Sequence, residues 1–275
     1  MIKRTFFTTL VTSLFSFSAQ AESFSLPIWK DKAEALGYEL PKAVGFSVSY
    51  MTLEQGISVD SIELTGMPIV DVFGLELEAN GGTQKTEVMT LRADVWLLPF
   101  LNVYGLLGAL DGYSQTEVSI TRKNARSPKM APIDFKLDLE GYTSGLGFVL
   151  AGGYKNVFGL VDVNYSKTKL SIIDGEIDAI VISPRVGYDL TKHGVPLRVW
   201  AGAMYQDVEQ TLSGSLKDIN AHLPEKAKFT VNQHLTTKWN PLLGLQYQVT
   251  DSWYLLGEVG LGDRKSAFVS IDHRF

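Results

Sequence analysis

The feature that most constrains the fold is an alternation of apolar with polar or small residues at a period of two. At positions 44–50 and 89–97, every second residue is apolar. This period indicates strands whose two faces meet different surroundings, since a helix would repeat every 3.6 residues. The same pattern, in places with a less regular face, recurs at 102–113, 142–154, 159–169, 180–189, 197–209, 238–249, 253–261 and 266–275.

The connections between these segments alternate between short and long. Tyr, Trp and Phe residues cluster beside the short ones, as in the aromatic girdle of a membrane protein. Short turns at one end and long loops at the other are typical of outer-membrane β-barrels. The short connections are 99–101, 155–157, 192–195 and 250–252, and the longer ones are 52–85, 114–136, 170–176, 210–228 and the neighbourhood of 262–264.

We therefore predict an all-β chain, a closed antiparallel transmembrane β-barrel of ten strands. Closing the sheet leaves no unpaired edge in the membrane. Eight strands would result if two weak segments fail. Twelve would result if 57–64 and 69–77 pair as an additional hairpin.

The first residues predict export. Lys3 and Arg4 precede an apolar and hydroxyl-rich stretch, and Ala19-Gln20-Ala21 supplies a small-x-small cleavage pattern. The predicted organisation is a signal peptide at 1–21, an N-terminal periplasmic segment at 22–42 and a barrel at 43–275. A short amphipathic helix is expected at 28–38, where it could cap the barrel mouth, enter the lumen or lie along the membrane interface. The sequence contains no cysteine, and a closed ladder needs no disulfide.

The last residues carry a resemblance. Phe275 ends an amphipathic strand at 267–275, which resembles the C-terminal signal that bacterial outer-membrane barrels present to their insertion machinery. His273 departs from that pattern, where an aromatic or aliphatic residue is usual. The resemblance implies location in the cell outer membrane, with outer-membrane lipid and the insertion machinery as partners. It identifies a class of proteins and no specific family.

The strand faces predict a set of charged residues inside the barrel. Isolated buried charge costs several kcal/mol, so these groups must be hydrated or paired. The interior is then either packed and salt-bridged, or a narrow polar channel or binding site. The predicted lumen-lining charges are Arg92, Asp94, Asp162, Arg185, Lys238, Glu258, Asp272 and Arg274.

Signals for other chemistry are weak. A net charge of −5 without a basic run argues against nucleic acid as a partner. No metal-ligand spacing or cofactor motif is present, so no metal or cofactor is expected. Barrel proteases of the omptin class use Asp and His residues near the extracellular rim. Here, His222 and His234 lie in or near the fourth long connection, with carboxylates that could pair with them at Asp207, Glu209, Asp218 and Glu225.

Three functional hypotheses follow. The chain is a narrow channel or a barrel that transports or binds a small solute. Alternatively, it is a closed barrel whose extracellular loops bind a partner or surface, as adhesins and OmpA/OmpX-like proteins do. The apolar segment 67–75 within the first long connection is a candidate for such a contact. A barrel that hydrolyses lipid or peptide is the least favoured hypothesis, and we expect the chain not to be an enzyme.

Overall fold

The computed structural model describes residues 26–66, 75–79, 81–122, 133–171, 174–215 and 226–275. The expected signal peptide, residues 67–74 of the apolar segment, and His222 lie outside these ranges. Within them, none of the helices is long and apolar enough to cross a membrane.

The described residues form one short α-helix, one 3₁₀ helix at Thr191–His193 and twelve strands. Their bounds are α1 Lys30–Ala35, β1 Val44–Thr65, β2 Leu75–Ala79, β3 Gly82–Leu98, β4 Leu101–Arg122, β5 Ile133–Tyr154, β6 Val157–Leu170, β7 Asp174–Asp189, β8 Leu197–Ser215, β9 Lys228–Leu235, β10 Trp239–Gln248, β11 Trp253–Leu261 and β12 Lys265–Arg274.

Ten of these strands close into an antiparallel ring. The order around the ring is β1-β3-β4-β5-β6-β7-β8-β10-β11-β12. Strand β12 pairs back with β1 from Gly45↔Arg274 to Glu54↔Lys265, and β8 pairs directly with β10. The prediction of a closed ten-strand barrel is confirmed.

The outer face of the ring is apolar. Large side chains at alternate positions are more than half exposed, among them Leu107 at 64%, Leu146 at 72% and Val186 at 64%. So much exposed apolar surface marks the face that contacts lipid. The short turns lie at one end of the ring, which by the pattern of bacterial barrels is the periplasmic end.

At the other, extracellular end, strands continue through segments predicted as loops. Strand β1 runs to Thr65 and pairs with β9 from Ile57↔Leu235 to Thr65↔Lys228. Strand β9 also pairs with the far end of β8, so it lies between β1 and β8 beyond the ends of β10, β11 and β12. Strand β2 pairs with β4, and the 57–65 part of β1 pairs with β9 rather than with β2. Residues 69–74 of the alternative hairpin lie outside the described ranges. The outward residues of these segments are polar, which is why the sequence predicts loops there. Beyond the membrane, however, the outer face of a strand meets water and can be polar as well.

Apolar side chains fill the inside of this extracellular end. Leu139, Leu212 and Phe229 are at most 1% exposed and form one cluster with Val231 and Leu137. A second cluster lies beside it and consists of Ile57, Ile177, Val208 and Leu235. The extracellular end therefore holds a packed core rather than an open pore.

The N-terminal segment lies across the periplasmic end. The Ile28 amide donates to the Leu97 carbonyl at 2.8 Å, and the Lys42 ammonium donates to Ser252 at 2.6 Å. These contacts connect the β3–β4 turn with the β10–β11 turn. The segment takes the first of its three expected positions, at the mouth, where Trp29 and Leu36 are among the residues that line the opening.

Candidate functional site: the lumen

The ring encloses a lumen with a cavity of about 1680 Å³. The lining begins at the N-terminal segment and the periplasmic turns and ends at Gln84 and Gln210. Alternate residues of the ring strands supply the wall, because successive side chains of a strand point to opposite faces. The opening at the periplasmic turns and the N-terminal segment is called the periplasmic mouth below.

Charged residues form a belt near the periplasmic end of this wall. Asp94 on β3 receives hydrogen bonds from Asn102 at 2.5 Å and from Arg274 at 2.8 Å. The Arg92 guanidinium also donates to Asn102, at 3.0 Å. This part of the belt joins β12 across β1 to β3 and β4, and leaves Asp94 nearly inaccessible at 9% exposure.

The belt continues towards β6 through Tyr104. The Arg92 guanidinium carbon lies 3.6 Å from the centre of the Tyr104 ring, and the Tyr104 hydroxyl donates to Asp162 at 2.6 Å. An Arg92 nitrogen also lies 3.7 Å from an Asp162 oxygen. Gly147 on β5 makes room for this arrangement, since a Cβ there would collide with the Tyr104 ring.

The opposite side of the belt contains a second ion pair. Arg185 on β7 donates to both carboxylate oxygens of Glu258 on β11, at 2.8 and 3.2 Å. The Trp200 indole donates to the same carboxylate at 2.9 Å. A Cβ at Gly244 on β10 would overlap the Trp200 ring, so this glycine permits the pair to span the inner face of β8 and β10.

All of the predicted lumen charges except Lys238 line this cavity. Asp272 accepts a hydrogen bond from Ser270, and the others are paired as described above. Sequence reasoning missed Asp189 and Arg198, which lie at the periplasmic ends of β7 and β8 and pair at 2.8 Å. The position of Arg198 in the alternation with Trp200 could have revealed it.

Lys238 lies on the outside of the barrel. It belongs to the turn between β9 and β10, where the alternation of the following strand has not yet begun. Its ammonium contacts Asp207 at 2.7 Å, and its side chain is 46% exposed. It lies beyond Tyr205 and Trp239, whose aromatic rings are in contact at the edge of the apolar band. The hydrogen bond from Lys238 holds the pKa of the Asp207 carboxyl below its ordinary value.

Above the charge belt the lumen widens into an uncharged compartment, called the upper chamber below. No Asp, Glu, Lys or Arg of the described ranges lines the cavity between the belt and its extracellular end. The wall combines apolar side chains with hydroxyl groups. Representative lining residues are Met51, Leu106, Ser166, Val181, Val208 and Phe268.

A layer of glutamines ends the upper chamber. Gln55 donates to Gln84 at 3.0 Å, Gln84 donates to Gln210 at 3.2 Å, and Gln233 donates to Gln210 at 2.7 Å. These side chains come from β1, β3, β8 and β9 and cross the lumen just beneath the apolar clusters. The glutamine layer and the apolar core together close the extracellular end.

His234 has a different carboxylate partner from those expected from the sequence. His234 lies on the exposed face of β9 and contacts Asp60 of β1 at 2.9 Å, with the two side chains 44% and 53% exposed. Sequence reasoning had pointed to carboxylates nearer His234 in the chain. In the described part of the chain, His, Asp and Glu side chains form no group of three or more that could hold a metal ion.

Phe275 lies at the periplasmic rim. Its amide donates to the Val44 carbonyl at 2.9 Å, and its ring packs 4.4 Å from that of His273. The ring of Trp253 lies 4.4 Å from the other side of His273. The histidine that departs from the C-terminal pattern thus lies between two aromatic rings.

A closed ring with a lipid-facing apolar exterior and a polar lumen is the architecture of outer-membrane β-barrels. The chain is an integral barrel of this class, located in the outer membrane. No family model matches the sequence, and no curated protein matches it.

Three of the similar solved structures illustrate how distant the likeness is. OprG from Pseudomonas aeruginosa is 15% identical over 86% of this chain and 99% of that chain, with a TM-score of 0.41. The transport unit of the autotransporter AIDA-I from Escherichia coli is 12% identical over 98% and 97%, with a TM-score of 0.36. The toluene transporter TbuX from Ralstonia pickettii is 10% identical over 86% and 90%, with a TM-score of 0.33.

Proposed function

We propose that this barrel binds a small amphipathic solute in the upper chamber and exchanges it through the periplasmic mouth. The observation that carries the proposal is a lumen of about 1680 Å³ that opens at the periplasmic end and is closed by the glutamine layer at the other. Such a shape is a pocket rather than a pore.

The chamber wall suits this role chemically. Ligand pockets are typically apolar with a few placed hydrogen-bonding groups and have volumes of roughly 300–1,000 Å³. The volume of about 1680 Å³ includes the mouth and the charge belt, so the chamber itself is smaller than this. Its hydroxyl groups, such as Ser166 and Thr168, alternate with apolar side chains that would contact a hydrocarbon or aromatic body.

The charge belt controls what passes from the mouth to the chamber. Its carboxylates and guanidiniums hold one another, with Arg185 bound to Glu258 and Arg274 bound to Asp94. Only Asp272, which accepts a hydrogen bond from Ser270, has no ion-pair partner among the predicted lumen charges of the belt. The paired charges keep the passage hydrated and do not retain a solute. Transfer to the cell exterior would require the glutamine layer and the apolar core above it to open.

The absence of native cysteine permits a direct test. A single Ser166→Cys variant, reconstituted in lipid nanodiscs, should react with a small maleimide, and 3-phenylpropanol should slow that reaction in proportion to its occupancy. Ser171→Cys is the matched control, because Ser171 is exposed beyond the end of the same strand. In planar bilayers, the unmodified protein should show no steady conductance.

Two results would contradict the proposal. Persistent open-channel conductance would show that the extracellular end is not closed. Equal slowing at Ser166→Cys and Ser171→Cys would show that the probe acts on the reagent or the membrane and not in the chamber.

A further inference from the structure

Arg264 is a cation inside the barrel that lies outside the charge belt. It precedes β12, and its guanidinium contacts the carbonyl of Met204, a residue that lines the lumen, so its side chain lies on the lumen side of the wall. Its side chain is almost wholly inaccessible, with 1% of the residue exposed. It lies at the height of the glutamine layer, because the pairing Glu54↔Lys265 places Gln55 opposite Arg264.

The bonds of Arg264 hold its position but do not neutralise its charge. The Asn240 amide donates to the Arg264 carbonyl at 2.7 Å, and the Nη2 nitrogen of Arg264 donates to the Met204 carbonyl at 2.9 Å. The Nε and Nη1 nitrogens have no hydrogen-bond partner. No carboxylate in the described ranges lies within ion-pair distance of this guanidinium. A buried guanidinium in that state is costly, since neither its charge nor its donors on Nε and Nη1 are compensated.

Unpartnered acceptors lie on both sides of Arg264. The Oε1 atoms of Gln55 and Gln206 are also buried without a hydrogen-bond partner. Gln206 follows Met204 on the lumen face of β8 and lines the upper chamber, as does Ser266 beside Arg264. The edge of the chamber ceiling thus combines free donors, free acceptors and one uncompensated positive charge.

Water could satisfy the hydrogen bonds at this place but would bring no charge. A carboxylate supplies both, because its two oxygens match the planar fork of N–H groups on a guanidinium. A donor group on the same ligand would satisfy a glutamine oxygen. The wall below Arg264, with Met51, Leu53 and Phe268, is apolar and suits the remainder of such a molecule.

We infer that the upper chamber is specific for amphipathic monoanions, with a single acidic head group at Arg264 and an apolar body directed towards the charge belt. This inference rests on the proposed function and names its substrate class. Because Arg264 is only 1% exposed, the head group reaches its guanidinium when a neighbouring side chain of the chamber wall, such as that of Gln206, moves aside.

Three probes with one skeleton test the inference. Binding of 3-phenylpropanoate, 3-phenylpropanol and 3-phenylpropylamine to the nanodisc-embedded protein is measured by titration calorimetry, with empty nanodiscs subtracted. We expect the acid to bind about tenfold more tightly than the alcohol, as a charge-assisted hydrogen bond allows, and the amine to bind least. Arg264→Gln should bring the acid and the alcohol to within about twofold of each other.

Two further variants separate charge from structure. Arg264→Lys keeps the cation and should retain a preference for the acid. Arg198→Gln removes an arginine near the periplasmic mouth, where it pairs with Asp189, and should leave the preference unchanged. If circular dichroism shows that Arg264→Gln does not fold, the inference is tested by the order of affinities of the three probes for the unmodified protein and for Arg264→Lys.

The possible failures are distinguishable. Equal binding of acid and alcohol to the unmodified protein, or a preference that survives Arg264→Gln, would overturn the monoanion specificity and leave the solute-binding chamber intact. If none of the probes binds and Ser166→Cys is not protected, the chamber proposal fails together with the inference.

Discussion

Replacing Glu258 by glutamine tests whether the charge belt stabilises the barrel through paired charges. The substitution preserves the side-chain volume and leaves an oxygen that can still accept from Trp200. It removes the negative charge that Arg185 contacts at 2.8 and 3.2 Å. The Arg185 and Glu258 side chains are 16% and 6% exposed, so the guanidinium would be left without a counter-ion in a partly desolvated place.

The expected loss can be estimated from this burial. Removing one partner of a buried ion pair typically lowers the free energy of unfolding by about 3–5 kcal/mol. We expect the lower end, about 3 kcal/mol, because this pair borders a hydrated lumen. The assay is reversible urea unfolding from lipid vesicles, followed by tryptophan fluorescence. The matched control is Glu87→Gln, which removes an exposed carboxylate that binds Tyr50 on the outer face and should change the free energy of unfolding little.

A double-mutant cycle gives the stricter result. If Arg185 and Glu258 stabilise each other, the variant carrying both Arg185→Gln and Glu258→Gln should be more stable than the sum of the single losses implies, by at least about 1 kcal/mol. A loss under about 1 kcal/mol for Glu258→Gln, or strict additivity in the cycle, would refute the reasoning. The lumen charges would then be hydrated independently of one another.

Three further outcomes are expected. Phe229→Ala should lower the free energy of unfolding by about 3–5 kcal/mol, because Phe229 is 1% exposed in the extracellular core; urea unfolding measures the loss. Gly244→Ala should displace the Trp200 ring, shift its fluorescence and cost about 1–3 kcal/mol, whereas Gly152→Ala, which has open space around its Cβ, should do neither. Deleting residues 22–37 should leave the barrel folded and accelerate 3-phenylpropanol association in stopped-flow fluorescence, since α1 lies at the mouth; an unchanged rate would show that this segment does not limit access.

Several parts of the fold could be predicted because the two faces of each membrane-spanning strand lie in different environments. Lipid on one side and the lumen on the other impose apolar and polar residues in alternation, so the faces of Arg92, Asp162 and Arg185 were readable from the chain. The short turns were readable as well, since β3 ends at Leu98 and β4 begins at Leu101, beside the predicted turn at 99–101. Each of these features depends on neighbours in the sequence.

Features that depend on distant residues were not readable. The sequence predicts a loop where β1 continues to Thr65, because beyond the membrane an outward polar residue does not distinguish a strand from a loop. The placement of β9 beyond β10–β12 depends on pairing with β1, which lies far away in the sequence. Lys238 was assigned to the wrong side because the chain turns there before the regular alternation resumes at Asn240.

The sequence by itself therefore determined the architecture, the membrane-facing surface and most of the charged groups that line the lumen. The tertiary structure alone decided that the extracellular end is closed, that all but one of the predicted belt charges are paired, and that Arg264 is not. The physical reason is that an alternating pattern records which side of the wall a residue faces. Whether a charge is compensated depends instead on side chains from other strands, and only the closed ring brings those together.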